Sequence, residues 1–246
     1  MDVPLIQFID VTKSFGTDLI LKGLNLSIYK DEILVIIGKS GTGKSVLLKH
    51  IIGLVRQDSG QILIKGIPFH HLSVEERNSF QKELSYMFQG NALFDFMDIY
   101  DNIALPLVEN SNFPKEKIKE KVFMRIEQLG LSGAEEKFPA QLSGGMQKRV
   151  ALARALVTDP KIVLFDEPTT GLDPVRKKNV HSMIQEYQEK FEFTAVIVSH
   201  DIPEIFNLAQ RIALLDAGII QFEGSKKEIL DSHSKILNAF IKGEDL

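Results

Sequence analysis

The chain has 246 residues, 44% of them hydrophobic and 25% charged, with a net charge of −4 and no cysteine. That length permits one large domain with an ample core, read here as residues 1–246 without an internal linker. The missing cysteines exclude disulfides and thiolate metal sites, and an acidic balance with scattered Lys and Arg argues against a nucleic-acid groove.

No apolar run approaches the roughly eighteen residues needed to cross a bilayer, and Met1-Asp2-Val3-Pro4 lacks the features of a signal peptide. The expectation is a cytoplasmic location, with no pore supplied by this chain.

In chain order, Gln7 to Tyr29 together with Gln61 to Lys65 read as an antiparallel part. Phe15, before Gly16, fits stacking on a base. Ile33 to Ile37 form an unbroken apolar run, as expected of a parallel strand buried on both faces, and Val46 to Leu54 read as a helix.

Gly38-Lys39-Ser40-Gly41-Thr42-Gly43-Lys44-Ser45 joins that strand to that helix and fits G-x-x-x-x-G-K-[ST]. Its glycines permit a tight path that turns backbone N–H groups inward, and the helix N-terminus adds partial positive charge. Such a loop holds a phosphate chain. Lys44 is suited to reach the β and γ phosphates, and the Ser45 hydroxyl to ligate the accompanying Mg²⁺.

His70 and His71 are adjacent and diverge in direction, so no metal site is expected there. Gln89 follows the apolar run Leu84 to Phe88 and fits a neutral ligand to Mg²⁺ or to the attacking water. A helical insert is expected over about 91–157. At its start Leu93, Phe94, Phe96, Met97 and Ile99 crowd a loop, either as a socket for a membrane subunit's cytoplasmic helix or by packing onto the insert. Pro114 opens a helix that Gly130 stops, and Ile118, Val122, Ile126 and Leu129 form one stripe, for internal packing or a partner groove.

Leu142-Ser143-Gly144-Gly145-Met146-Gln147-Lys148-Arg149 presents a second helix, Gln147 to Val157, behind small residues. This is a second anion receptor. One nucleotide hardly needs both loops, so the second is expected to meet the γ-phosphate bound to another copy in a head-to-tail dimer. Burying ATP between copies makes association depend on nucleotide.

Lys161 to Phe165 read as a strand ending in Asp166 and Glu167, the first suited to the metal and the second to a general base for water. Thr194 to Ser199 form a third core strand, ending at His200, expected to contact the γ-phosphate. Ile236, Leu237, Phe240 and Ile241 fall at helical spacing in a tail of about 232–246, which either folds back or clamps the second copy.

Taken together and in this order, Gly38 to Ser45, Gln89, Leu142 to Arg149, Ile162 to Glu167, Gly171-Leu172-Asp173-Pro174 and His200 resemble the nucleotide-binding domain of ABC ATPases. The resemblance implies a P-loop, RecA-like α/β core with an N-terminal antiparallel β-subdomain and an inserted helical subdomain, hydrolysing MgATP. It makes Phe15 the adenine-stacking aromatic, in place of the more usual Tyr, and sets Asp173 in the loop linking the two sites. Met146 departs from the common Gln, whereas the phosphate contact belongs to Ser143 and Gly145.

Met87-Phe88-Gln89-Gly90-Asn91-Ala92-Leu93-Phe94-Asp95, Asp101 to Leu107, Leu142 to Met146 and Ser199 to Glu204 are further similar to the ATPase subunit of Mla-type phospholipid transporters, as is the tail Phe240-Ile241-Lys242-Gly243. That likeness implies a homodimer on the cytoplasmic face of the inner membrane, beneath a Mla permease-like subunit, with MCE-type and small STAS-type partners. Rival readings are an ABC ATPase serving amino acids, metals or drugs, a soluble non-transport ABC ATPase, and a binding-only regulator.

Overall fold

The computed structural model describes residues 3–88, 90–202 and 204–232, together with Leu237 and Phe240. Two long strands, β1 (Ile6–Phe15) and β2 (Asp18–Ile28), pair antiparallel, and the apolar β3 (Ile33–Ile37) follows. Helix α1 (Lys44–Ile51) begins two residues before the expected Val46 and ends three short of Leu54. Both limits are set by glycine: Gly43 caps the start at φ 101°, and Gly53, at φ 77°, turns the chain away.

Next come β4 (Ser59–Ile64), β5 (Ile67–Pro68), α2 (Val74–Lys82) and β6 (Leu84–Met87). The sequence reading did not anticipate α2, although its signature is local. Ser73 Oγ accepts from Glu76 N at 3.1 Å and the Glu76 carboxylate accepts from Ser73 N at 2.7 Å, a reciprocal cap for a helix with little apolar periodicity.

The insert supplies α3 (Ile99–Asn110), α4 (Lys115–Gln128) and α5 (Gly144–Leu156). Ile118, Val122, Ile126 and Leu129 are all buried in the core, so the α4 stripe packs internally. Ile99 is not a loop residue but the buried first residue of α3. Asn102, fully buried, arranges the preceding loop through hydrogen bonds from Phe94 N at 2.9 Å and to the carbonyls of Phe94, Met97 and Asp98 at 2.9–3.1 Å. Phe94 and Phe96 are left exposed as a result.

After the insert the chain continues through β7 (Ile162–Asp166), α6 (Pro174–Phe191), β8 (Thr194–Ser199), β9 (Arg211–Asp216), β10 (Ile219–Gly224) and α7 (Lys226–Asp231). The main sheet has the order β10-β9-β3-β8-β7-β6, parallel except for the β9–β10 pair. A second, antiparallel sheet has the order β2-β1-β4-β5.

Period-two side-chain alternation divides the core. Ile33, Val35 and Ile37 join one cluster with α3 to α6, while Leu34 and Ile36 join another with α1 and the antiparallel sheet. A strand covered on both faces has no polar side, which is why β3, β7 and β8 read as continuous apolar runs. Leu237 and Phe240 are buried in the first cluster, so these tail residues fold back on their own chain; Ile236 and Ile241 lie outside the described residues. Among the described residues, no helix is long and apolar enough to cross a membrane.

Candidate active site

Strands β3, β8 and β7 are parallel neighbours, so their C-terminal ends deliver Gly38 to Ser45, His200, and Asp166 with Glu167 to one edge of the sheet. Gly38 passes so close to β9 that an added Cβ would lie 2.4 Å from the Leu215 carbonyl oxygen. Thr42 closes the loop by donating from Oγ1 to Lys39 O at 2.9 Å.

Lys44 is 4% exposed and turns its ammonium into its own loop, donating to Gly38 O at 2.8 Å and Lys39 O at 2.9 Å. Glu167 Oε1 lies 3.5 Å from the same nitrogen. Burial lowers the Lys44 pKa, and the Glu167 and Asp166 charges oppose that shift. The lysine thus closes the 38–45 loop on itself through two carbonyl contacts.

Ser45 and Asp166, 121 positions apart, meet at 2.8 Å through a hydrogen bond from Oγ to Oδ1. The other carboxylate oxygen accepts from the Tyr86 hydroxyl at 2.6 Å. Burial, then the Asp166 contact, raises the Tyr86 pKa and keeps this hydroxyl a donor.

Glu167 stands at φ +49°, a left-handed conformation unusual for a residue with a side chain. Its amide donates to Val198 O at 3.0 Å, and its Oε2 accepts from Thr170 Oγ1 at 2.8 Å and lies 3.1 Å from His200 Nδ1. Burial pushes its pKa up, but Thr170, His200 and Lys44 together outweigh that, and the net shift is downward. The carboxylate is therefore ionised at neutral pH with both oxygens engaged.

The remaining expected residues lie in other settings. Gln89 is outside the described residues. Phe15 is 48% exposed with the Lys13 ammonium 5.3 Å from its ring centre, open to a stacking partner. Ser143 caps α5, its Oγ accepting from Met146 N at 3.3 Å, so the helix starts at Gly144 rather than at Gln147. Ser143, Gly144 and Gly145 open onto a cavity of about 740 Å³ between α5 and α6, to which the first loop contributes no residue. Gln147 donates its amide to Pro139 O at 2.9 Å and so braces the preceding turn. Asp173 caps α6, accepting from Arg176 N at 3.0 Å.

Sequence reasoning passed over Tyr86, Thr170 and Lys148. Tyr86 sits inside a short apolar strand and Thr170 in a turn, and neither carries a motif of its own. Lys148, 7% exposed, donates to Pro168 O at 2.8 Å, directly after Glu167. A lysine inside an otherwise Ala-, Leu- and Val-rich helix was the signal available for that contact.

The family described as ABC transporter matches residues 21–170. The chain is 36% identical over 244 residues to the intermembrane phospholipid transport system ATP-binding protein MlaF of Haemophilus influenzae, covering 99% of this chain and 92% of that one. The probable ribonucleotide transport ATP-binding protein mkl of Mycobacterium leprae is 38% identical over 233 residues, 95% of this chain and 67% of that one. Among solved structures, cbiO1 from Clostridium perfringens, part of the ABC transporter complex cbiONQ, matches with TM-score 0.84 at 27% identity, over 97% of this chain and 95% of that one. A dimeric post-hydrolysis structure of the ATP-binding cassette MJ0796, bound to ADP and Pi, matches with TM-score 0.75 at 30% identity, over 89% and 98% respectively. With a phosphate loop on β3, an acidic pair closing β7 and relatives of this kind along nearly its whole length, the chain belongs to the ABC transporter family as an ATP-binding cassette that hydrolyses ATP.

Proposed function

We propose that this ATPase drives phospholipid movement across the cell envelope as a homodimer beneath a membrane permease, on the cytoplasmic face of the inner membrane. The observation that carries the catalytic half is the position of Glu167, with Lys44 at 3.5 Å on one carboxylate oxygen and His200 at 3.1 Å on the other, beside the Ser45–Asp166 pair. The cargo half rests on the 36% identity to a phospholipid-system ATPase over almost the whole chain.

In this reading the N–H groups of Gly38, Lys39, Ser40, Gly41, Thr42 and Gly43 hold the phosphate chain, and Lys44 exchanges its two carbonyls for phosphate oxygens. Glu167 accepts a proton from water as the water oxygen bonds to the γ-phosphorus and the bond to ADP breaks. His200 contacts the γ-phosphate, and Phe15 stacks on the base. The Ser45 hydroxyl and the Asp166 carboxylate are adjacent oxygen donors of the kind a hard cation takes, with Gln89 as a further neutral ligand. Mg²⁺ held there with the nucleotide would neutralise charge on the phosphate oxygens. Ser143, Gly144, Gly145 and Gln147 receive the γ-phosphate of the partner copy's nucleotide, and Asp173 lies where the two sites meet.

A cavity of about 370 Å³ lined by Tyr86, Phe88, Phe94, Leu105 and Arg154 suits the cytoplasmic helix of a permease. The exposed Phe94 and Phe96 flank that approach, within a helical subdomain of about 91–157. MCE-type and STAS-type subunits complete the assembly.

Ribonucleotide transport is a second reading, favoured by the 38% identity to mkl. Isolating the assembly from native membranes and identifying the bound small molecules decides between them. Phospholipid together with an integral-membrane subunit is the expected result; bound ribonucleotide other than the ATPase substrate, or an amino acid or metal, overturns the lipid assignment.

A further inference from the structure

Lys148 is a buried cation to which the hydrolytic scheme gives no role. It is 7% exposed, burial alone lowers its pKa, and its ammonium donates to a carbonyl, Pro168 O, at 2.8 Å. An ammonium held that deep is costly unless the contact it makes is needed. Two features of its placement give the contact a purpose.

First, Lys148 lies four residues after Gly144, on the same face of α5 and one turn from the Ser143-Gly144-Gly145 start. It lines the same cavity of about 740 Å³ as those three residues. A load on the turn is therefore carried along a rigid helix to the Lys148 backbone.

Second, Pro168 immediately follows Glu167, whose φ of +49° must be held by its surroundings. Glu167 itself is tied to β8 through its amide and Val198 O, and beyond it the described loop is held to other elements at Pro168 and Thr169. Thr169 Oγ1 donates to Asp201 Oδ2 at 2.5 Å, and Lys148 grips the Pro168 carbonyl. Within the loop, Thr170 Oγ1 holds Glu167 Oε2 at 2.8 Å. Among these contacts, Lys148 is the one that lies on α5, behind the Ser143-Gly144-Gly145 start.

We infer that Lys148 is a positioning residue that makes the hydrolytic geometry of each site depend on occupancy of the other. A γ-phosphate gripped by Ser143 and Gly145 belongs to the partner copy's nucleotide; its arrival settles α5, and Lys148 transmits that position to Pro168 and hence to Glu167 of its own chain. The inference rests on the homodimer reading above.

The test compares full-length wild type with Lys148→Met, Lys148→Gln and Lys148→Arg. Steady-state ATPase rates are measured against ATP concentration, and ATP-dependent dimerisation is measured separately in a Glu167→Gln background. For Lys148→Met and Lys148→Gln, kcat is expected to fall roughly 10- to 100-fold, the effect of a misaligned base. The Hill coefficient is expected to drop toward one, while ATP affinity and dimerisation stay within about twofold. Lys148→Arg, whose guanidinium also reaches the carbonyl, is expected to restore cooperativity. A purely structural role would lower the melting temperature and leave the Hill coefficient unmoved. Dimerisation with unchanged kcat and cooperativity in both uncharged variants overturns the role of Lys148; failure of the Glu167→Gln protein to dimerise with ATP overturns the homodimer reading itself. If Lys148→Met does not fold, Lys148→Gln, uncharged and one bond too short to reach the Pro168 carbonyl as the lysine does, carries the comparison.

Discussion

Nδ1 of His200 lies 3.1 Å from Oε2 of Glu167, joining the end of β8 to the residue that follows β7. The imidazole and Thr170 share one carboxylate oxygen, while Lys44 approaches the other. The carboxylate is thereby held ionised and directed at Lys44 of the 38–45 loop.

Replacing Glu167 with Gln removes the proposed base while preserving shape. Hydrolysis is expected to slow by roughly 10²- to 10⁴-fold with ATP affinity intact. Phosphate-release kinetics beside a nucleotide-binding isotherm provide the check; undiminished turnover refutes the role.

Lys44→Ala leaves the Gly38 and Lys39 carbonyls without the ammonium they now accept from. Weaker ATP binding or lost productive alignment is expected, by about tenfold or more. Wild-type affinity together with wild-type rate would remove the lysine from its assigned place.

Asp201 is a buried carboxylate joined to Lys177 and Thr169. Burial raises its pKa, but the hydrogen bonds from Lys177 and Thr169 together with the Lys177 and His200 charges more than offset it, and the folded value lies below 3.8. Its contribution to stability is therefore complete above that pH and is lost as the solution is acidified through the folded value. Asp201→Asn is expected to cost roughly 1–3 kcal/mol at pH 7. In denaturant titrations the gap to wild type should close below pH 3.8; a gap that is constant or widens with acid contradicts the assignment.

Asn102→Ala withdraws one acceptor and the donors to three carbonyls in the 94–98 loop. Several part-buried backbone groups then lack their partner, and a loss of about 1–3 kcal/mol is expected from urea unfolding. Retention of full stability would mean that water replaces the amide without cost.

Ser143→Arg places a long cation where a second copy's phosphate is proposed to sit. In a Glu167→Gln background with ATP, light scattering is expected to report a monomer that still binds one nucleotide. A stable dimer under those conditions defeats the composite-site reading.

Much of this was written locally in the chain. Three apolar runs, the Gly38–Ser45 loop and the acidic pair at 166–167 follow from backbone preference and side-chain periodicity over a few residues. So does α2, whose Ser73–Glu76 signature lay in plain view and was passed over for want of an apolar stripe. Helix limits slipped where a cap or a left-handed glycine decided them, as at Gly43 and Ser143.

By itself, the sequence determined the fold family and ATP hydrolysis, and it singled out the residues to which the metal, base and second anion-receptor roles are proposed. Only the tertiary structure decided which residues meet. Strand order set β8 between β3 and β7, and that brought His200 to Glu167, Ser45 to Asp166 across 121 positions, Tyr86 to Asp166 and Lys148 to Pro168. Local pattern fixes dihedral angles and faces, which short-range sterics and solvation control. Contacts between distant residues depend on how whole sheets and helices pack, and no window of a few residues contains that information.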